Sequence, residues 1–239
     1  MNFRFTYTNL EEQYKTIIDA GYTVMTCYEY YLRKKEISNN HKVLVNRIDI
    51  DFSLKKAIPM LDIYHKLGIK GSFFIRLHAN EYNPFSFENY SIIKRMIDEG
   101  HEIGYHSEVI DQAAIWNEDP EVCLKRDIAI LNKYFNIEIK GVASHGGMTG
   151  LNNLDFWANK SAKQFGLCYE AYDKEPEFDL FNKSFYISDS EWTRWKCYKN
   201  GKLIVGDNNP PVNHLGEVNP LIYFLIHSDT YFHNHFYEL

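Results

Sequence analysis

The sequence predicts an α/β protein folded as one closed or nearly closed (β/α) barrel of about seven parallel strands. Three observations predict it. From Val43 onward, short apolar runs alternate with segments of helical period, the pattern of β–α units in a parallel sheet. No G-x-G-x-x-G or G-x-x-x-x-G-K follows any of these runs, which argues against a nucleotide-binding sheet. No low-complexity linker divides the 239 residues, so 42–239 read as one domain and 1–41 as an N-terminal extension packed on it.

The elements follow in order. Asn9 with Glu12 fits a helix start, and Gly21 closes that helix. Val43 to Asp51 is the first strand of the repeating units. Ser53 to Leu67 carries Leu54, Ala57, Ile58 and Leu61 at helical spacing, with Gly68 as its cap; Pro59 must kink this helix or lie early in it. Gly71 to Leu77 is a strand, Ser86 to Glu99 a helix closed by Gly100, and Glu102 to His106 a third strand. A helix over Pro120 to Phe135 precedes a strand at Lys140 to His145 and a further helix at Leu154 to Phe165. The remaining strands are Leu167 to Tyr172, Phe185 to Asp189 and Pro220 to His227.

Composition narrows the partners. A net charge of −6 and a pI near 5.9 make nucleic acid a poor partner, and the one basic run, Arg33-Lys34-Lys35, reads as an exposed helix end. The four cysteines contain no C-x-x-C pair, so free thiols are expected rather than a thiolate zinc site. Met1 to Leu10 lacks the basic start and apolar core of a signal peptide, and no run approaches the ~20 apolar residues of a membrane span. A cytoplasmic protein is the expectation, with no membrane span.

The polar residues at strand ends carry the chemistry. Asp49 and Asp51 lie two apart on one strand, hence on one face, and buried carboxylates so close need a cation, a shared proton or strong donors. They could instead cap the following helix or pair with Arg47. His106, His145 with Gly146-Gly147, Asp189 with Trp192 and Trp195 after it, and His227 close later strands. A histidine at a strand end is by itself more often a hydrogen-bonded structural residue. In a barrel, however, these ends converge, and one carboxylate with two imidazoles suits a divalent metal with open positions. His101 points by alternation away from the site, and His78 and His214 have no assigned role.

The chain resembles the polysaccharide deacetylases, carbohydrate esterase family 4. The resemblance rests on 47–53 (RIDIDFS), 68–74 (GIKGSFF) and 100–106 (GHEIGYH), and more weakly on Ser144-His145-Gly146, Ser188-Asp189-Ser190 and Leu225-Ile226-His227. It spans about residues 43 to 230 and implies an irregular barrel, often of seven strands. It also implies that Asp49 is the general base, that Asp51 and His106 bind metal, zinc being the expected ion, and that His227 is the general acid. The second metal-binding histidine of the usual motif is Ile110 here. The loop expected at Ser107 to Gln112 offers Glu108 and Asp111, and His145 is the expected substitute. His145 resembles the histidine of a divergent, mostly cytoplasmic branch found with surface-glycan genes, although that branch more often has a histidine where this chain has Ile48.

The expected activity is metal-dependent removal of an acetyl or formyl group from an amino sugar or glycan precursor, with Asp189 holding His227 and with Trp192 and Trp195 stacking on the sugar. A barrel kept for glycan binding or scaffolding, and a hydrolase of non-sugar amides, are the other readings.

Overall fold

Val43–Ile50 is buried along its whole length, as a strand covered on both faces must be. It is the central strand of the sheet in a computed structural model that describes residues 4–37, 41–176, 178–190, 192–235 and 237–238. In chain order the elements are α1 (Tyr7–Asp19), β1 (Thr23–Met25), α2 (Cys27–Arg33), β2 (Val43–Ile50), α3 (Ile58–Leu67), β3 (Ser72–Ile75), α4 (Phe87–Asp98) and β4 (Glu102–Ser107). They continue with α5 (Val109–Trp116), α6 (Pro120–Phe135), β5 (Gly141–Ser144), β6 (Tyr169–Glu170), α7 (Leu180–Lys183), β7 (Phe185–Ser188), β8 (Lys196–Lys199), β9 (Lys202–Leu203) and β10 (Leu221–His227).

The sheet runs β6-β5-β4-β3-β2-β10-β7-β8-β9. The path from β6 to β7 is parallel and holds the seven strands expected from the sequence, and β8 and β9 add an antiparallel ribbon at one edge. Among the described residues no strand pairing joins the two ends of the path; the α/β architecture with a mostly parallel sheet is as expected. β10 takes one edge of β2; β1 and β3 share the other, pairing with Val43–Val45 and Arg47–Ile50 respectively.

Alternation along the strands separates two cores. Leu44, Ile48 and Ile50 face the helices, whereas Val43 and Val45 face the concave side with Phe74, Tyr169, Phe178, Tyr186 and Tyr223. Arg47 and Asp49 stand on that same concave side, beyond Val45. Gly104 and Gly141 allow the rings to fill this space: a Cβ at Gly104 would lie 2.4 Å from Phe74, and one at Gly141 2.0 Å from Tyr169. At the opposite end of the strands from Asp49, the Glu102 carboxylate accepts from Ser72 Oγ, Tyr169 Oη and the Tyr28 amide.

Three local expectations need correction. Thr6, not Asn9, caps α1, because its side chain accepts the Asn9 amide. The stretch Ser107 to Gln112 leads into α5, whose buried face includes Asp111 and Gln112, so it lacks an apolar stripe. Leu154 to Phe165 forms two 3₁₀ turns, Asn153–Trp157 and Ala162–Phe165, instead of a helix. Ser161 and Gln164 make a capping box in mid-segment and restart the chain there. Pro59 lies in the first turn of α3, where its missing N–H costs little.

Candidate active site

Parallel strands bring their C-terminal ends to one side of the sheet, and the residues singled out above meet there. Asp49 lies beside His227 in the β2–β10 register, and His106 beside Ala143 in the β4–β5 register. Asp51, His145 and Asp189 each follow directly on a strand end. Asp51 Oδ1 is 3.3 Å from His106 Nε2 and 3.7 Å from His145 Nε2, and Asp51 Oδ2 is 3.8 Å from His227 Nε2. His106 Nε2 also lies 3.4 Å from Asp49 Oδ2.

Asp51, His106 and His145 fit a divalent metal. Their ligand atoms all lie within 4.8 Å of one another, and Asp51 Oδ1 is buried without a hydrogen-bond partner. His106 Nδ1 lies 2.8 Å from the Ala143 carbonyl, to which it donates, so Nε2, facing Asp51, is the atom that would bind a metal. Burial opposes the imidazolium form of His106, but Asp49 and Asp51 overcome burial and raise the His106 pKa. His145 Nδ1 faces Glu108 Oε1 at 3.6 Å, and the Glu108 carboxylate is itself held by the Arg76 guanidinium at 3.0 and 2.7 Å. Arg76 also donates to the Asp51 carbonyl at 2.8 Å. Glu108 thus lies near His145 without a hydrogen bond to it, and its Oε1 is already committed to Arg76. Asp111 is likewise committed: it accepts from the Met148 and Thr149 amides, Thr149 Oγ1 and Asn153 Nδ2, fixing the loop after His145. Ile110 packs against the helix-side core.

Charge sorts these groups. Asp49 is buried and clamped by Arg47, whose Nε and Nη2 donate to its two oxygens at 2.9 and 2.6 Å. Burial opposes ionisation, but Arg47 and His106 outweigh it and hold the Asp49 carboxyl below its usual range. For Asp51, burial is likewise overcome by the surrounding imidazoles, led by His106, and its carboxyl stays ionised. Burial opposes the imidazolium form of His227. Asp189 Oδ1, at 2.6 Å from Nδ1, outweighs that with help from Asp51 and Asp49, and pushes His227 up to about 9. His145 is pushed down to about 4 by burial, His106 and Arg76, the neutral form a ligand needs.

The two tryptophans part company. Trp192 is 39% exposed, stands 5.1 Å from Phe52 and lies nearly parallel to the His227 ring at 6.4 Å. Trp195 is 1% exposed and packs between Phe5 and Phe224, so it offers no face to a sugar; its expected stacking role is corrected. Sequence reasoning missed Arg76, which donates to Glu108 and to the Asp51 carbonyl, and named Glu108 and Asp111 only as alternatives to the preferred His145. Arg76 and Glu108 are 32 residues apart, and no local pattern announces such a pair. His101 lies at the other end of the strands, where its Nδ1 accepts the Gly71 amide.

The loop after His145 permits a prediction. A Cβ at Gly147 would sit 1.4 Å from the Leu151 carbonyl oxygen, a backbone atom that cannot swing aside. Gly147→Ala should displace this loop, weakening any divalent-metal binding at the Asp51–His106–His145 cluster about 10-fold or more with a modest change in melting temperature. Titration calorimetry with zinc checks it, and unchanged affinity would sink the idea.

The geometry defines a class: an α/β protein with a mostly parallel sheet that carries a carboxylate–imidazole cluster at the C-terminal ends of its strands. The sequence matches no protein-family profile and no curated protein. Similar solved structures include a carbohydrate esterase family 4 pseudoenzyme and two polysaccharide deacetylases. One is a mutant, with restored enzymatic activity, of a pseudoenzyme from Bacillus anthracis (16% identity, TM-score 0.47, covering 81% of this chain and 60% of that one). Another is a mutant peptidoglycan deacetylase from Bacillus subtilis (15% identity, TM-score 0.46, covering 80% and 77%). A third is the chitin deacetylase of Colletotrichum lindemuthianum (19% identity, TM-score 0.33, covering 44% and 46%). The chain thus spans about three-fifths of the length of the first of these.

Proposed function

We propose that this protein is a metal-dependent hydrolase that removes an N-acetyl or N-formyl group from an amino sugar or a sugar-containing glycan precursor. The observation that supports it most is the meeting, in one cluster, of a three-ligand set with an ionised carboxylate on one side and a protonated imidazole on the other. Asp51, His106 and His145 would hold the ion, which we assign as zinc. When bound, it would supply a lowered pKa for water and polarisation of the acyl carbonyl. The resemblance of His145-Gly146 to the surface-glycan branch supports a cytoplasmic precursor as substrate.

The remaining work falls to this chain's own residues. Asp49 is the base. Arg47 occupies one lone pair on each of its oxygens and leaves the others to accept the proton of the attacking water. His227 is the acid. Its Nδ1 proton is engaged by Asp189, so Nε2 faces Asp51 and delivers its proton to the leaving amine. Trp192, beside His227, and Phe52, beside Trp192, are both partly exposed and offer rings on which a sugar stacks. The test is acetate or formate release from N-acylated sugars, free and nucleotide-linked, with Asp49→Asn as the inactive control that keeps its metal.

Asp189 is a positioning residue with its own signature. Asp189→Asn removes the charge that holds His227 protonated, so the alkaline limb of kcat/KM should move to lower pH. Turnover at neutral pH should fall about 10²-fold. An unmoved limb would show that His227 is not the acid.

One observation favours a second reading. Arg47 grips both Asp49 oxygens in a buried pair, which lowers the basicity of Asp49 and suits a barrel kept for glycan binding. Oligosaccharide binding without any acyl release would decide for it.

A further inference from the structure

A second convergence of ligand-type atoms lies at the edge of the sheet. Cys197 sits on β8, opposite Ile187 of β7. The chain turns back after β9, and the segment from Asp207 to His214 returns over Cys197. There Cys197 Sγ is 3.5 Å from His214 Nε2, and His214 Nε2 is 3.4 Å from Asp207 Oδ1. The three ligand atoms lie within 4.8 Å of one another.

Two simpler readings compete with a metal site. A nucleophile relay needs the thiol on one ring nitrogen and the carboxylate on the other. Here both approach the same Nε2, which carries either one proton or one lone pair and cannot serve both. The other competing reading is a plain hydrogen-bonded cluster, in which burial and the Asp207 carboxylate that accepts from it push the Cys197 thiol up to about 12. Asp207 Oδ1 already accepts the Asn209 amide and Asn209 Nδ2, at 3.1 and 2.9 Å. The thiol's other neighbour, the Asn209 carbonyl, stands 3.7 Å away.

A cation at the centre resolves the convergence. Zinc bonds of about 2.3 Å to sulfur and about 2.0–2.2 Å to nitrogen and oxygen give tetrahedral edges of about 3.4–3.6 Å. The observed 3.5 and 3.4 Å are edges of that size. One thiolate and one carboxylate balance a divalent charge, so the closed unit is neutral and tolerates burial. The Asn209 carbonyl offers a fourth donor on the sulfur side.

We propose that Cys197, Asp207 and His214 form a second, structural site for a borderline-soft divalent metal such as zinc, made of different residues from the Asp51 cluster. No C-x-x-C spacing announces it, because its ligands come from one strand and the two ends of a returning loop. It fastens that loop to β8, and through the β7–β8 pairing it braces the strand that leads into Asp189.

Cobalt(II) added to the metal-stripped full-length chain separates this site from the other one, since a thiolate–cobalt charge-transfer band requires sulfur and the Asp51 cluster has none. The band is expected in the wild type and in Asp51→Ala, absent in Cys197→Ser, and formed with at least about tenfold weaker affinity in His214→Ala. Absence of the band in the wild type, or its survival in Cys197→Ser through another thiol, overturns the proposal. Should Cys197→Ser not fold, His214→Ala carries the decision: unchanged cobalt affinity there also overturns it.

Discussion

Asp51→Ala should abolish acyl hydrolysis and remove one equivalent of metal per chain. The Asp51 carboxylate faces His106 and His145 through one oxygen and His227 through the other. Its loss leaves two imidazoles with rings 5.0 Å apart and no anion between them, a set that binds a divalent ion poorly. Without the ion, water keeps its pKa near ~16 rather than ~7, and turnover should fall about 10⁴-fold or more, ~5.5 kcal/mol in the barrier. Elemental analysis and acetate release measure the two effects. Asp49→Asn is the contrast, losing turnover and keeping metal. Full metal content in Asp51→Ala would refute the ligand assignment.

Arg47→Met should cost the fold about 3–5 kcal/mol at neutral pH. Arg47 is 1% exposed, pairs with Asp49 through two donors, and lies over the rings of Tyr172 and Phe74 at 4.7 and 5.5 Å. Methionine fills much of the volume but leaves a buried carboxylate with its main partner gone. The sign with pH follows. In the wild type the folded Asp49 titrates below its unfolded value of about 3.9, so the pair's contribution is complete above that value and is lost as pH falls through the folded one. In the variant the folded pKa rises, and the penalty grows as pH climbs above about 4. The gap between the two proteins in urea denaturation should therefore be widest near neutrality and shrink on acidification. A loss under about 1 kcal/mol at neutral pH would mean that Arg47 is not what holds Asp49 in place.

Legibility in the sequence tracked the range of the interaction. The strand-closing positions of Asp49, His106 and His227 were readable because apolar runs end there and the polar residues stand out. The Arg47 pairing was an open alternative on paper, and in the structure Arg47 takes Asp49 while Asp51 is left to the imidazoles. Glu108 and Asp111 looked like spare ligands beside Ile110; their carboxylates instead serve Arg76 and the loop after His145. Trp192 and Trp195 are the same residue three positions apart, and nothing local says that one is core and the other half exposed.

The sequence by itself determined the alternation of strands and helices, the parallel sense of the central sheet and which strands end in acids or imidazoles. Those properties depend on periodicity, capping and turn residues within about fifteen positions of each other. Only the tertiary structure decided that His145 turns its Nε2 toward Asp51, that an antiparallel ribbon extends one edge of the sheet, and that Cys197 meets Asp207 and His214. Each of these is a contact between segments distant in the chain. Side-chain chemistry permits many such contacts, and the packing of strand against strand and loop against strand selects the few that form.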